Sequence, residues 1–120
     1  MANTTIKHVT AKGAPAPGGS YSHGVIANGF LYTCGMGPVD PATGKIVEGG
    51  VGPQTRQTLI NLKAILDEVG ADFSQVVKTT IFLTDLSDFQ EVNTAYGAFF
   101  TEAPPARSTV QVAALPLGSN

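Results

Sequence analysis

The chain has 120 residues and a formal charge of −2 at pH 7, and no Lys/Arg cluster along it offers a basic field to a phosphate backbone, so nucleic acid is not an expected partner. A single cysteine excludes an internal disulfide, and no apolar run approaches the roughly 18 residues that a membrane span needs. The opening MANTTIKHVTAKGAPAPGG lacks the apolar stretch of a signal peptide, so one soluble, cytoplasmic domain over residues 1–120 is the expectation.

In chain order, a short strand is expected near Ile6–Thr10, followed by a loop rich in Ala, Pro and Gly from Gly13 to Ser20. Two apolar runs, Gly24–Ala27 and Phe30–Cys34, flank Asn28-Gly29, the dipeptide that best accepts positive φ at both turn positions, and read as a β-hairpin. DPATGK, residues 40–45, reads as a second turn, with Pro41 setting φ and Gly44 left-handed. Helical spacing then takes over between Gly52 and Gly70. Leu59, Leu62, Ile65, Leu66 and Val69 share a stripe, Pro53 suits a first helical position, and Gly70 suits the residue past the end.

The β-branched run Val76–Thr84 predicts a central strand. A second helix is expected from about Ser87 to Phe100, with Ser87 and Gln90 at capping-box spacing, and a last strand over Ala106–Val112. The order β, β-hairpin, α, β, α, β suits an α+β domain whose mixed sheet carries both helices on one face. The other face is left open. Charged residues make up 13% of the chain against roughly 25% in an average soluble domain, too few to cover it, so another subunit is the expected cover.

Arg107 is the first candidate for chemistry. No Asp or Glu occurs between Ala103 and Asn120, and strand alternation sets Arg107 on one face with Thr109 and Gln111. Its fork suits a carboxylate or phosphate ligand, or equally a structural ion pair with a distant Asp40, Asp85 or Glu102. Tyr21 stands with Ser22 and His23 on a glycine-flanked loop, where it either meets a ligand or lids the core. Cys34 is a nucleophile if His8 or His23 lowers its pKa, and otherwise a small buried hydrophobe. Asn93 and Tyr96 lie one turn apart on the second helix and could reach a cleft. The histidines and cysteine make no metal-ligand set, and the glycines form neither a dinucleotide fingerprint nor a phosphate loop.

The segments GSYSHGV (19–25), LYTCGMGPVDPATGKIV (31–47), QTRQTLINLKAILDEVGADFSQVVKTTIFLTDLSDFQEVN (54–93) and PPARSTVQVAALP (104–116) resemble the Rid family, the YjgF-like imine deaminases, over nearly the whole chain. The resemblance implies a chorismate-mutase-like fold assembled as a homotrimer with clefts between subunits. It implies hydrolysis of 2-imino acids such as 2-iminobutanoate and 2-iminopropanoate to 2-keto acids and ammonia, clearing reactive enamine and imine intermediates without metal or cofactor. Arg107 would pair with the substrate carboxylate, Tyr21 would pack beside it, and backbone near Cys34 and Thr109 would hold the imine and the water. The implied site is thus Arg107, Tyr21 and Cys34 for catalysis, with Thr109 and Asn93 joining Arg107 and Tyr21 in binding.

The chain departs from the family pattern at Ser20, where a proline is usual, at Cys34 for serine, at Met36 for glutamine and at Thr109, often a cysteine. A further strand carrying a glutamate is expected beyond Asn120. A second reading keeps the trimeric carboxylate cleft as a binding or regulatory module without efficient hydrolysis. A third, ribonuclease action, asks for an RNA affinity that the net charge does not support.

Overall fold

The computed structural model describes residues 5–120. Strands β1 (Lys7–Val9), β2 (Gly24–Ala27) and β3 (Phe30–Thr33) form an antiparallel sheet in that order. The β2–β3 turn is the expected one, with Asn28 at φ 51° and Gly29 at φ 78°. Helix α1 (Val51–Glu68) leads to β4 (Lys78–Leu83), α2 (Phe89–Gly97) and β5 (Ala106–Gln111). Strands β4 and β5 pair in parallel, with Thr79 opposite Arg107 and Ile81 opposite Thr109, so α2 is the crossover of a β-α-β unit.

The pattern predicts one mixed sheet; the hydrogen bonds of the described residues instead divide the strands into a three-stranded antiparallel sheet and a two-stranded parallel one. Strands of three and four residues, followed at once by the glycine- and proline-bearing segment 35–38, leave little ladder to extend. Between the sheets, the 40–45 turn closes as expected. The Asp40 carbonyl accepts from the Gly44 amide at 2.8 Å, Asp40 Oδ1 accepts from the Ala42 amide at 2.8 Å, and Val39 bridges Ile46.

Each sheet turns one face to the helices. Ile65 of α1 packs with Val9, Ala11 and Ala14 and with partly buried Ile26 and Leu31, while Val92 of α2 joins Val51, Leu83 and Ile81. The helices pack on each other and share a cap. Gly50 has no side chain to cap α1, and Glu91 of α2 supplies the carboxylate, Oε2 accepting from the Gly52 amide at 3.1 Å. A Cβ at Gly52 would stand 2.8 Å from that oxygen. The α1 stripe runs as predicted, with Leu59, Ile65 and Leu66 buried, and Gly70 is left-handed just past the cap residue Val69. Because α1 starts at Val51, Pro53 is its third residue rather than its first, still among the amides that have no intrahelical partner.

The second helix differs at both ends. The expected Ser87–Gln90 capping box is absent, because Asp85 caps a preceding 3-10 turn (Leu86–Asp88), accepting from the Ser87 amide at 2.9 Å. A capping box forms instead at Asp72 and Gln75, around the 3-10 turn before β4. Helix α2 stops at Gly97, after which Phe99 and Phe100 pack edge-on against Phe73, with centroids 5.6 and 5.1 Å apart.

The outward faces carry Phe30 and Tyr32 on β3, Phe82 on β4 and Val110 on β5, all exposed, as the composition predicts for an uncovered sheet. Among the described residues no helix is long and apolar enough to cross a membrane.

Candidate functional site

The two prolines of PPARSTV deliver the chain to β5, where alternation turns Arg107 and Thr109 toward α2 and Ser108 and Val110 outward. Helix α2 presents Phe89, Asn93 and Tyr96 at positions i, i+4 and i+7, one side of a helix. Arg107 Nη2 donates to Asn93 Oδ1 at 2.7 Å, and its Cζ lies 4.9 Å from the Tyr96 ring centroid and 5.4 Å from that of Phe89. Tyr96 is itself fixed, its hydroxyl 2.7 Å from Thr79 Oγ1 on β4. Two rings and an amide therefore hold the guanidinium in one orientation, stabilising it by about 1 kcal/mol per ring contact.

Among the described residues no carboxylate balances this charge, the sole ion pair being Lys63–Asp67 on α1. The acids that sequence offers as structural partners do not pair with Arg107: Asp40 and Asp85 accept from amides of their own turns, and Glu102 forms no ion pair among the described residues. Those bonds from Ser87, its amide foremost, hold the Asp85 carboxyl below the usual carboxylate range. Thr109, on the same face as Arg107, carries a second unpaired group: its Oγ1 is buried without a hydrogen-bond partner among the described residues. Leaving such a hydroxyl unsatisfied costs about 1–3 kcal/mol. Gln111 is placed elsewhere, its Oε1 accepting from the Leu86 amide at 2.9 Å.

Tyr21 and Cys34 belong to a different wall. They line a broad trough of about 1570 Å³ over the uncovered strands, together with Met36, Phe82 and Tyr96. Arg107, Asn93 and Thr109 are not part of its lining, although Tyr96 borders both regions. Tyr21 folds back on its glycine loop, its hydroxyl accepting from the Gly18 amide at 3.0 Å while the ring is 51% exposed.

The histidines do not serve Cys34. His23 is 3% exposed; its Nδ1 accepts from the Ala11 amide at 2.9 Å, which assigns the proton to Nε2, the donor to the Pro15 carbonyl at 2.8 Å. His8 Nδ1 lies 3.1 Å from Ser22 Oγ. The Cys34 amide donates to the His23 carbonyl at 2.8 Å, and burial pushes the thiol up from its ordinary range, a backbone hydrogen bond opposing the shift in part. A neutral thiol at neutral pH is a poor nucleophile.

Sequence reasoning named Asn93 and Tyr96 but missed three contributors. Phe89 was readable as an aromatic residue one turn before Asn93. Asn61 of α1, fully buried, was readable as a polar residue inside an apolar stripe. Gln57, one turn before it, donates to its Oδ1 at 2.9 Å.

The chain is thus a small α+β domain with a half-buried guanidinium, held by Asn93 and two rings, beside a β-α-β crossover, and a wide apolar trough that shares Tyr96 with it. The model of the protein family described as Endoribonuclease L-PSP matches residues 11–120, and the chain belongs to this family, the YjgF-like or Rid proteins. It is 43% identical over 119 residues to the 2-iminobutanoate/2-iminopropanoate deaminase of Rattus norvegicus, covering 99% of this chain and 87% of the relative. Its fold superposes on YyfA of Yersinia pestis, a protein of unknown function in the conserved Rid family, with TM-score 0.91, 42% identity and coverage of 95% of this chain and 91% of that one. It also superposes on TdcF of E. coli with bound serine, with TM-score 0.87, 40% identity and coverage of 92% and 88%.

Proposed function

We propose that the protein hydrolyses small 2-imino acids to 2-keto acids and ammonia, with Arg107 binding the substrate carboxylate. The observation that carries this reading is a guanidinium held by Asn93 and two aromatic rings with no carboxylate of its own. Deaminase relatives and a relative that holds serine, itself a small amino acid with a carboxylate, support it.

An imine carbon is already electrophilic, so the protein's work is orientation, water placement and modest proton transfer. Water oxygen bonds to C2 as the C=N π pair moves to nitrogen, the water giving up one proton and the nitrogen taking one up. The resulting carbinolamine then passes its hydroxyl proton to nitrogen and expels ammonia as the C–O bond becomes a carbonyl. Arg107 fixes the carboxylate, Thr109 offers its unpaired hydroxyl beside it, Asn93 orients the guanidinium, and Tyr21 with the backbone at Cys34 forms the opposite wall. Cys34 contributes through its position, the neutral thiol being unsuited to attack.

Tyr21 and Cys34 lie in the trough while Arg107 faces α2, so the reading includes assembly of copies, a homotrimer, that brings one chain's arginine to another's trough. The exposed apolar side chains of β3, β4 and β5 support that assembly.

A second reading, a trimeric module that binds small carboxylates without turnover, is favoured by one observation. The side chains recorded against Arg107 are Asn93, Phe89 and Tyr96, and none is a carboxylate or a histidine. The deciding experiment generates 2-iminobutanoate in situ with a threonine dehydratase and follows ammonia release. Acceleration by the wild type, and none by Arg107→Ala at matched oligomer content, supports the deaminase. Retained 2-ketobutyrate binding without acceleration would replace it with the binding module.

A further inference from the structure

Asn61 is a polar residue on the core side of α1, 0% exposed. Its Nδ2 donates to the carbonyls of Gly37 at 3.0 Å and Val39 at 2.8 Å, and its Oδ1 accepts from Gln57 Nε2 at 2.9 Å. Every strong hydrogen-bonding group of the amide is used, and the carbonyls it serves are those its own segment leaves over. Along this extended stretch the Pro38 carbonyl accepts from the Val47 amide and the Asp40 amide donates to the Lys45 carbonyl. The alternate carbonyls, Gly37 and Val39, turn to α1, where Asn61 supplies the donors.

Segment 35–39 follows Cys34 directly, and Gly35, Met36 and Gly37 line the trough beside it. With two glycines and a proline it has little stiffness of its own, and Asn61 ties it to the longest helix of the fold. We propose that Asn61 is a positioning residue for imine hydrolysis: through Gly37 and Val39 it fixes the backbone wall beside Cys34, with Gln57 holding the amide in the orientation that serves both carbonyls. The inference rests on the deaminase reading of the site.

Asn61→Asp keeps the size of the side chain but places an oxygen where the two donors were; Gln57→Leu removes the group that orients the amide at a half-buried position. In folded protein, Asn61→Asp should lower kcat about ten- to a hundredfold, the effect of misplacing a site wall by about an ångström. KM should change little, because the carboxylate anchor on β5 is untouched. Gln57→Leu should shift kcat in the same direction by less. Hydrogen exchange of the Gly35, Met36, Gly37 and Val39 amides should quicken in both variants.

Wild-type kcat in folded Asn61→Asp would overturn the proposal. So would a loss of activity that only tracks loss of folded protein while Gln57→Leu matches the wild type. If the wild type itself does not hydrolyse the imine, the deaminase reading fails by that result. Exchange then judges the tether alone: unchanged protection at 35–39 refutes it, and quickened exchange confined to that segment upholds it.

Discussion

The β5–α2 face around Arg107 and the hairpin wall are both built of polar residues but differ in how fully these are satisfied. On the wall, both ring nitrogens of His23, the Tyr21 hydroxyl and the Cys34 amide all have partners within the chain. On the β5–α2 face, Arg107 uses one of its five N–H groups on a described side chain, and Thr109 Oγ1 has no partner among the described residues. A buried group left unpaired costs stability, and Thr109 Oγ1 is such a group on the strand face that also carries the half-buried Arg107; under the proposed function a ligand carboxylate meets both. Under the proposed function, the satisfied wall sets shape and the Arg107 face sets affinity.

The comparison breaks most readily at Arg107. Arg107→Lys keeps the charge but loses the planar fork and its stacking on Tyr96 and Phe89, and kcat/KM for 2-iminobutanoate should fall by about a hundredfold in a folded, assembled protein. Asn93→Leu leaves the guanidinium on its rings without the amide that orients it, and steady-state kinetics should show about a tenfold loss, mainly in KM. Thr109→Val sharpens the contrast, since removing an unsatisfied hydroxyl should raise thermal stability by about 1 kcal/mol while weakening 2-ketobutyrate binding a few-fold in a titration.

On the satisfied wall, Cys34→Ser should leave turnover within about threefold, where a nucleophilic thiol would lose orders of magnitude. Because burial raises the Cys34 pKa, the neutral thiol persists past the pH at which an ordinary cysteine ionises. Alkylation by iodoacetamide should accordingly be slow at neutral pH and gain speed only above that range.

Much of this was legible beforehand where local chemistry decides. The Asn28-Gly29 turn, the Asp40–Gly44 turn, the α1 stripe and the Gly70 end follow from residues whose backbone preferences leave few alternatives. What failed depends on competition between neighbours: Asp85 precedes Ser87 and caps first, and the aromatic cluster around Phe73 draws Phe99 and Phe100 out of α2. The division into two sheets depends on which strand edges meet, which alternation along one strand does not encode.

Arg107 stood out as a site residue because nearby sequence offers it no acid. Asn93 and Tyr96 stood out as well, one turn apart on α2, but their contact with Arg107 did not, because a cation over two rings is a tertiary contact between β5 and α2. Asn61 went unread for the same reason, since the carbonyls it serves lie more than twenty residues away along the chain.

The proposed function holds that Arg107 has no carboxylate partner among the described residues because a small ligand carboxylate is its partner. Titrating 2-ketobutyrate into wild type and into Arg107→Ala, each with folding and oligomeric state verified, tests it most directly. Saturable binding by the wild type that disappears in the variant is the predicted result. Equal binding by both proteins would contradict the claim and place the carboxylate elsewhere.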